Sequence, residues 1–149
     1  MEEIVFSATT MRNIEDELSF QKSLLSGLTV LLVENEPGLA ELLTFILEGN
    51  GARIILAGSA TEALNQLEQR QPDVLVSNVR LPDEDGSWLI ERIRQLEEAW
   101  RELPAIGVTS YLGEVDAQGA LRAGFHHFLS KPLDPDELVQ EVLKLTGRQ

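Results

Sequence analysis

The sequence predicts an α/β domain built on a parallel sheet with helices on both faces. Three observations lead there. Short, continuously apolar runs of strand length alternate with stretches whose apolar residues recur at helical spacing. The alternation occurs five times in order, the pattern of a parallel sheet joined by crossover helices. Each unit is bounded by its own stop or cap signal.

The first strand is Leu28 to Val33, apolar on both sides, as in a strand buried within a parallel sheet. Pro37 suits the first turn of the helix that follows, and Leu39, Leu42, Leu43, Ile46 and Leu47 are expected to form its buried stripe. Gly49-Asn50-Gly51 ends it. Ala52 to Leu56 is the second strand. Ser59-Ala60-Thr61-Glu62 is a capping box opening a helix that carries Ala63, Leu64 and Leu67.

Asp73 to Ser77 is the third strand, followed by the polar loop Pro82 to Gly86. The next helix carries Trp88, Leu89, Ile93 and Leu96, with Trp100 expected near its end as an exposed partner contact. Pro104 to Thr109 is the fourth strand, and a helix near 113–123 is weakened by Gly119. Phe125 to Leu129 is the fifth strand. Asp134 caps a last helix bearing Leu138, Val142 and Leu145.

Residues 1–27 read as an N-terminal extension and 28–149 as the domain proper. Within the extension, Met11, Ile14, Leu18 and Leu25 recur near helical spacing, which predicts an amphipathic helix. Its expected role is a cap on the domain or the end of a linker. A coiled-coil-like dimer contact is the alternative, although the segment is short for several heptads.

Composition excludes several classes. A chain of 149 residues suits one domain, and 43% apolar with 25% charged residues is ordinary for a globular protein. With no cysteine there is neither a disulfide framework nor a thiolate site, which fits a cytoplasmic location. A net charge of −13 argues against a nucleic-acid partner. No apolar run approaches the roughly 20 residues of a membrane span. Without a Gly-rich phosphate loop, metal-ligand cluster or nucleophile–base pair, an independent enzyme is not expected.

In open parallel sheets the site lies beyond the carboxyl ends of the strands. Those ends carry Glu34-Asn35, Gly58-Ser59, Asn78, Thr109-Ser110 and Ser130-Lys131. Five motifs there stand in order. They are Val30 to Pro37, Pro72 to Pro82, Gly86 eight residues after Asn78, Val108-Thr109-Ser110, and Phe128-Leu129-Ser130-Lys131-Pro132.

Together these motifs resemble the receiver domains of two-component response regulators, in wording most like those attached to hybrid histidine kinases. The resemblance covers roughly residues 28–146. It implies a flavodoxin-like (βα)5 fold with strand order 2-1-3-4-5, preceded here by the extra N-terminal helix. In that family an aspartate accepts a phosphoryl group from phosphohistidine beside a Mg²⁺ held by acidic residues. A lysine, a hydroxyl and an aromatic residue read the result.

On this pattern Lys131 fills the lysine position, Thr109 the hydroxyl position and Phe128 the aromatic one. The acceptor position holds Asn78, whose neutral amide cannot form an acyl phosphate. The acidic pair is Glu34-Asn35, one carboxylate where two are usual. The degenerate metal set is therefore Glu34, Asn35, Asn78 and the backbone carbonyl of Arg80. No cofactor is expected, and Mg²⁺ at most weakly, because it prefers anionic oxygen.

The resemblance then implies a pseudo-receiver that docks on protein partners without being phosphorylated. A histidine kinase, another regulator or a second copy in a homodimer are the candidates. The family's docking face maps to segments 113–123, 125–130 and 134–146. No output module follows the last helix, so any effect passes through another chain, unless this chain is part of a larger hybrid protein. Without Mg²⁺, Lys131 is expected to bond Asn78 and pair with Glu34, holding one inactive-like conformation.

The alternative is a phosphorylatable receiver using Asp83 or Asp85 as substitute acceptor, although loop aspartates more often cap helices. Ser77 should point to the other face of the sheet. His126 and His127, adjacent on a strand, should diverge and not share a metal. The family often has a cis bond at Lys131-Pro132.

Overall fold

In the computed structural model, the described residues are 7, 8, 24–109 and 124–147. Five strands form one sheet: β1 (Thr29–Val33), β2 (Arg53–Ala57), β3 (Val74–Asn78), β4 (Ala105–Thr109) and β5 (His127–Ser130). Every pairing is parallel and the order is β2-β1-β3-β4-β5, as expected. The described helices are α1 (Pro37–Gly49), α2 (Ala60–Arg70), α3 (Gly86–Gln95) and α4 (Pro135–Leu145), with a 3₁₀ turn at Glu98–Trp100. The helix expected near 113–123 and most of the N-terminal helix lie outside the described residues. Leu24 to Gly27, at the end of that extension, form a turn.

Alternation along the strands divides the core in two. Val30, Leu32, Val74, Val76, Ile106 and Val108 face α1 and α4, and pack on Leu43, Leu47, Leu138 and Val142. Leu31, Val33, Leu75 and Ala105 face α2 and α3, and pack on Ala63, Leu67, Leu89 and Ile93. Burying each Leu or Ile side chain contributes about 1.5–3 kcal/mol. Leu25 is fully buried in the first cluster and its N–H bonds Asn50 O at 2.8 Å, so the tail of the extension is part of the core.

Two helix expectations are corrected. Leu42 is 47% exposed, and Ala40 takes the buried position, because the stripe of α1 turns towards the sheet and leaves 42 and 45 outside. Trp88 and Trp100 do not share a helix. Leu96 leaves the helical region at ψ −149 and the chain re-forms a separate turn. Trp100 is half-buried against the second cluster, and its carbonyl accepts from Arg94 Nη1 at 2.9 Å, so it is not a free contact.

Candidate functional site

The carboxyl ends of β1, β3, β4 and β5 converge on one edge of the sheet, and the chain's polar residues collect there. Glu34, one residue past β1, is 3% exposed. Its Oε2 accepts from its neighbours' backbone, Asn35 N at 2.9 Å and Glu36 N at 3.4 Å. Asn78, the last residue of β3, donates from Nδ2 to Glu34 Oε2 at 2.8 Å and Oε1 at 3.2 Å. Its Oδ1 accepts from Arg80 N at 3.1 Å. The two contacts fix which way the amide points, since a carboxylate needs a donor and an N–H needs an acceptor.

Lys131, just after β5, places Nζ 3.7 Å from Glu34 Oε1. The buried carboxylate is thus met by an ammonium, an amide and two backbone N–H groups. Burial without such partners would cost several kcal/mol. The expected Lys131–Glu34 pair is present. The expected Lys131–Asn78 bond is not: Asn78 Oδ1 is taken by Arg80 N, and its amide donates to the same carboxylate that Lys131 faces. The Lys131-Pro132 peptide is cis.

Thr109 ends β4, is 4% exposed, and its carbonyl accepts from Lys131 N at 2.8 Å. Phe128 lies beside Gly107 in the β4–β5 register. A Cβ on Gly107 would stand 2.4 Å from Phe128 Cε1, so the ring occupies the space a side chain would take. Phe125 holds its other side, with ring centroids 5.2 Å apart. Gly86 answers a second close approach. A Cβ there would meet Asn78 O at 2.7 Å, and its N–H bonds Val79 O at 2.6 Å.

Asp83 bonds to the start of α2 and to Glu84, not to this cluster. Its Oδ1 accepts from Ala60 N at 2.9 Å, and its Oδ2 from Thr61 N at 3.0 Å and Thr61 Oγ1 at 2.8 Å. Glu84 N also donates to Oδ1 at 2.9 Å. The Thr61 and Ala60 backbone N–H groups hold its pKa far below the ordinary carboxylate value. It is a clamp between the β3–α3 loop and the first turn of α2, where a helix end has unpaired N–H groups. Asp85 is the N-cap residue of α3. Ser77 is buried and donates to Asn78 O at 2.9 Å.

The two histidines diverge. His126 Nδ1 accepts from Ala105 N at 3.1 Å, and His127 Nε2 stands 3.7 Å from Glu141 Oε1. Among the described residues no group of three or more His, Cys, Asp or Glu is placed to hold a metal.

Sequence reasoning missed three features. Glu36 caps α1, accepting from Gly38 N at 2.9 Å and Leu39 N at 2.6 Å, and the backbone N–H groups of Gly38 and Leu39 lower its pKa. The signal was an acceptor directly before Pro37. The seat of Phe128 on Gly107 was signalled only by a glycine inside an apolar strand. The Asp83 clamp joins residues 22 and 23 positions apart and has no local signature.

A divalent cation fits these residues poorly. Glu34 is the single carboxylate in the cluster, its oxygens already receive hydrogen bonds, and Asn78 turns its donor nitrogen inward.

The receiver domain model of response regulators matches residues 30–143. An uncharacterized 14.6 kDa protein of Leptolyngbya boryana is 45% identical over 118 residues, covering 79% of this chain and 89% of the relative. Response regulator Rre1 of Synechocystis is 34% identical over 82% of this chain, which spans 53% of Rre1. The receiver domain of a sensor histidine kinase from Pseudomonas aeruginosa, solved with magnesium in its active-site cleft, superposes with TM-score 0.76. It is 29% identical and covers 82% of this chain and 99% of its own. The parallel sheet in the order β2-β1-β3-β4-β5, the polar cluster at its carboxyl edge and these matches agree, and the chain belongs to the response regulator receiver domain family.

Proposed function

We propose that this receiver domain works as a docking module whose site is held shut by its own residues and is not switched by phosphorylation. The observation that carries the reading is Asn78, which presents an amide at the end of β3 and spends it on Glu34. An amide nitrogen is a poor nucleophile towards phosphorus, and the cluster offers one carboxylate where metal-assisted transfer needs more negative charge.

In this reading Lys131 and the Asn78 amide stand where a metal and a phosphoryl group would otherwise bring the strands' ends together. Glu34, Asn35, Asn78 and the Arg80 carbonyl are a relic metal set. Thr109 and Phe128 keep the positions of a switch that has one setting. The engagement of Asp83 by four donors argues against a substitute acceptor, because its lone pairs are committed to α2 and to Glu84.

Partners are then other proteins of a two-component system, such as a histidine kinase or a second regulator. The surfaces offered are β5 with residues 125–130 and α4 with 134–146, together with 113–123, which lie outside the described residues. Function is signalling by association and not catalysis.

The test is intact mass after incubation with Mg²⁺ and a small phosphodonor, with Asn78→Asp alongside. The native chain should show no phosphoryl adduct, and the variant should gain one. An adduct on the native chain at Asp83 or Asp85 would overturn the proposal.

A further inference from the structure

Strand β2 is an edge of the sheet, with β1 on one side and no strand among the described residues on the other. Its bonds to β1 show which of its backbone groups are engaged. Arg53 N donates to Leu28 O at 2.8 Å, and Ala57 O accepts from Glu34 N at 3.0 Å. Alternate residues of a strand turn their N–H and C=O to the same side. Arg53, Ile55 and Ala57 therefore bond β1, while Ile54 and Leu56 aim both groups at the open edge.

Natural edges are commonly blunted by a lysine, a proline or a bulge. Beyond Arg53 the run Ile54-Ile55-Leu56-Ala57 has no charge and no proline, and its register with β1 is unbroken. Leu56 is 49% exposed. Leu42 and Phe45, the other large exposed hydrophobics among the described residues, lie on the helix before it, and Phe45 lines one groove with Leu56. An apolar edge with unengaged backbone groups is a template for another strand.

The edge is complementary to itself, which selects the occupant. Across a two-fold axis at Ile55, antiparallel pairing sets Ile54 opposite Leu56 of a second copy, and Leu56 opposite its Ile54. Each such pair exchanges both of its N–H···O bonds, so every outward group of the two residues is met. Ile55 faces its own image in the close, non-hydrogen-bonded position. On the α2 face, Arg53 falls opposite the second copy's Ala57, next to Gly58, whose N–H is held by Glu62 Oε2 at 3.0 Å. Each copy thus has a base at one end of the strand and an acid at the other, and antiparallel pairing joins the unlike ends. The net charge of −13 on each copy opposes approach from a distance, but physiological salt screens it beyond about 8 Å.

We infer that β2 pairs antiparallel with β2 of a second copy, in the register that sets Ile54 against Leu56, and joins two five-stranded sheets into one. The inference rests on the docking reading only in giving association a partner. Its surface is separate from β5 and α4.

The test is sedimentation equilibrium of the full chain with two variants alongside. The native chain should dimerise in the micromolar range, and more tightly as salt is raised. Leu56→Lys sets an ammonium against Ile54 of the second copy and should weaken the dimer about tenfold or more. Its fold should hold, because the side chain is exposed. Arg53→Glu should weaken the dimer about threefold, the scale of exposed ion pairs. The chain has no cysteine, so Ile55→Cys places a lone thiol at the axis. Cα atoms in that position stand about 4.5 Å apart, within disulfide reach, so oxidation should link the copies. Leu42→Cys should not link them. The sedimentation results do not depend on Ile55→Cys folding.

A native chain that stays monomeric up to about 1 mM would overturn the inference. So would a dimer that Phe45→Ser abolishes and Leu56→Lys leaves intact, which would put the contact on α1. Linking through Leu42→Cys in place of Ile55→Cys would overturn it as well. A phosphoryl adduct on the native chain would overturn the docking reading and leave the sedimentation result as it stands, so the two fail separately.

Discussion

Replacing Asn78 with Asp puts a second carboxylate where an amide now donates 2.8 Å from Glu34 Oε2. Glu34 is 3% exposed, so the repulsion is poorly screened. At that separation two unit charges repel by about 6 kcal/mol in an effective dielectric near 20. Side-chain relaxation relieves part of this, while the lost hydrogen bond to a charged acceptor adds about 1.5–3 kcal/mol. Lys131, 3.7 Å from Glu34, is already committed to one carboxylate. A net destabilisation of about 2–4 kcal/mol follows, or roughly 6–12 °C in melting temperature for a domain of this size.

A divalent cation would bridge the two carboxylates, so Mg²⁺ should return most of that loss to the variant. At a hundred times its dissociation constant it supplies about 2.7 kcal/mol. Thermal melts of both chains in chelator and in Mg²⁺ decide the matter. The variant should be Mg²⁺-dependent and the native chain indifferent. A variant as stable as the native chain in chelator would show that Glu34 does not depend on the amide. A native chain stabilised by Mg²⁺ as much as the variant would refute the poor metal fit.

Three further outcomes follow from the geometry. Asp83→Ala should cost about 1–2 kcal/mol, the usual loss of a helix-capping acceptor. The folded pKa of Asp83 lies below its unfolded value. Its contribution is therefore present above about pH 4 and lost as pH falls further, and acid melts of native and variant chains should converge. Gly107→Ala drives a methyl into Phe128 Cε1 and should destabilise by about 1–3 kcal/mol. Phe128→Ala in the same chain should reduce that cost in a double-mutant cycle. For His126, burial first and then the Arg94 guanidinium lower the folded pKa. Stability from this residue is present above about pH 6.5 and falls away as acid protonates the unfolded chain first. His126→Gln should flatten the change in melting temperature between pH 7 and 5.5.

Much of the fold is legible in the sequence because each piece has a local cause. The strands β1, β3 and β4 are runs such as Val30 to Val33 that have no polar side to expose. Ser59 and Asp134 cap their helices through hydrogen bonds spanning two or three residues. The observed strands start within two residues of the expected ones. What failed depended on angle. Leu42 sits at helical spacing with Leu39 and Ile46, yet the small Ala40 takes the sheet-facing place and Leu42 turns outward.

The site divides in the same way. Glu34, Asn78, Thr109 and Lys131 could be placed together because parallel order brings strand ends to one edge. Their bonding could not be read so directly. Whether Lys131 or Asn78 engages Glu34 is set by distances of an ångström, and the structure has both doing so. Asp83 illustrates the limit. Its partners Ala60 and Thr61 lie 23 and 22 residues earlier, and nothing in Pro82 to Gly86 names them. The exposure of Leu56 was hidden for a related reason, since an apolar residue on a strand reads as core until the edge of the sheet is known.

The central claim is that the strand-end cluster is closed by Glu34, Asn78 and Lys131 and responds to neither metal nor phosphodonor. Backbone amide NMR spectra of the native chain, alone, with Mg²⁺, and with Mg²⁺ and a small phosphodonor, test it most directly. The account predicts that Asn35, Val79, Arg80, Thr109 and Lys131 keep their shifts in all three. Saturable shifts centred on those residues with Mg²⁺, or a second set of peaks with the phosphodonor, would contradict it.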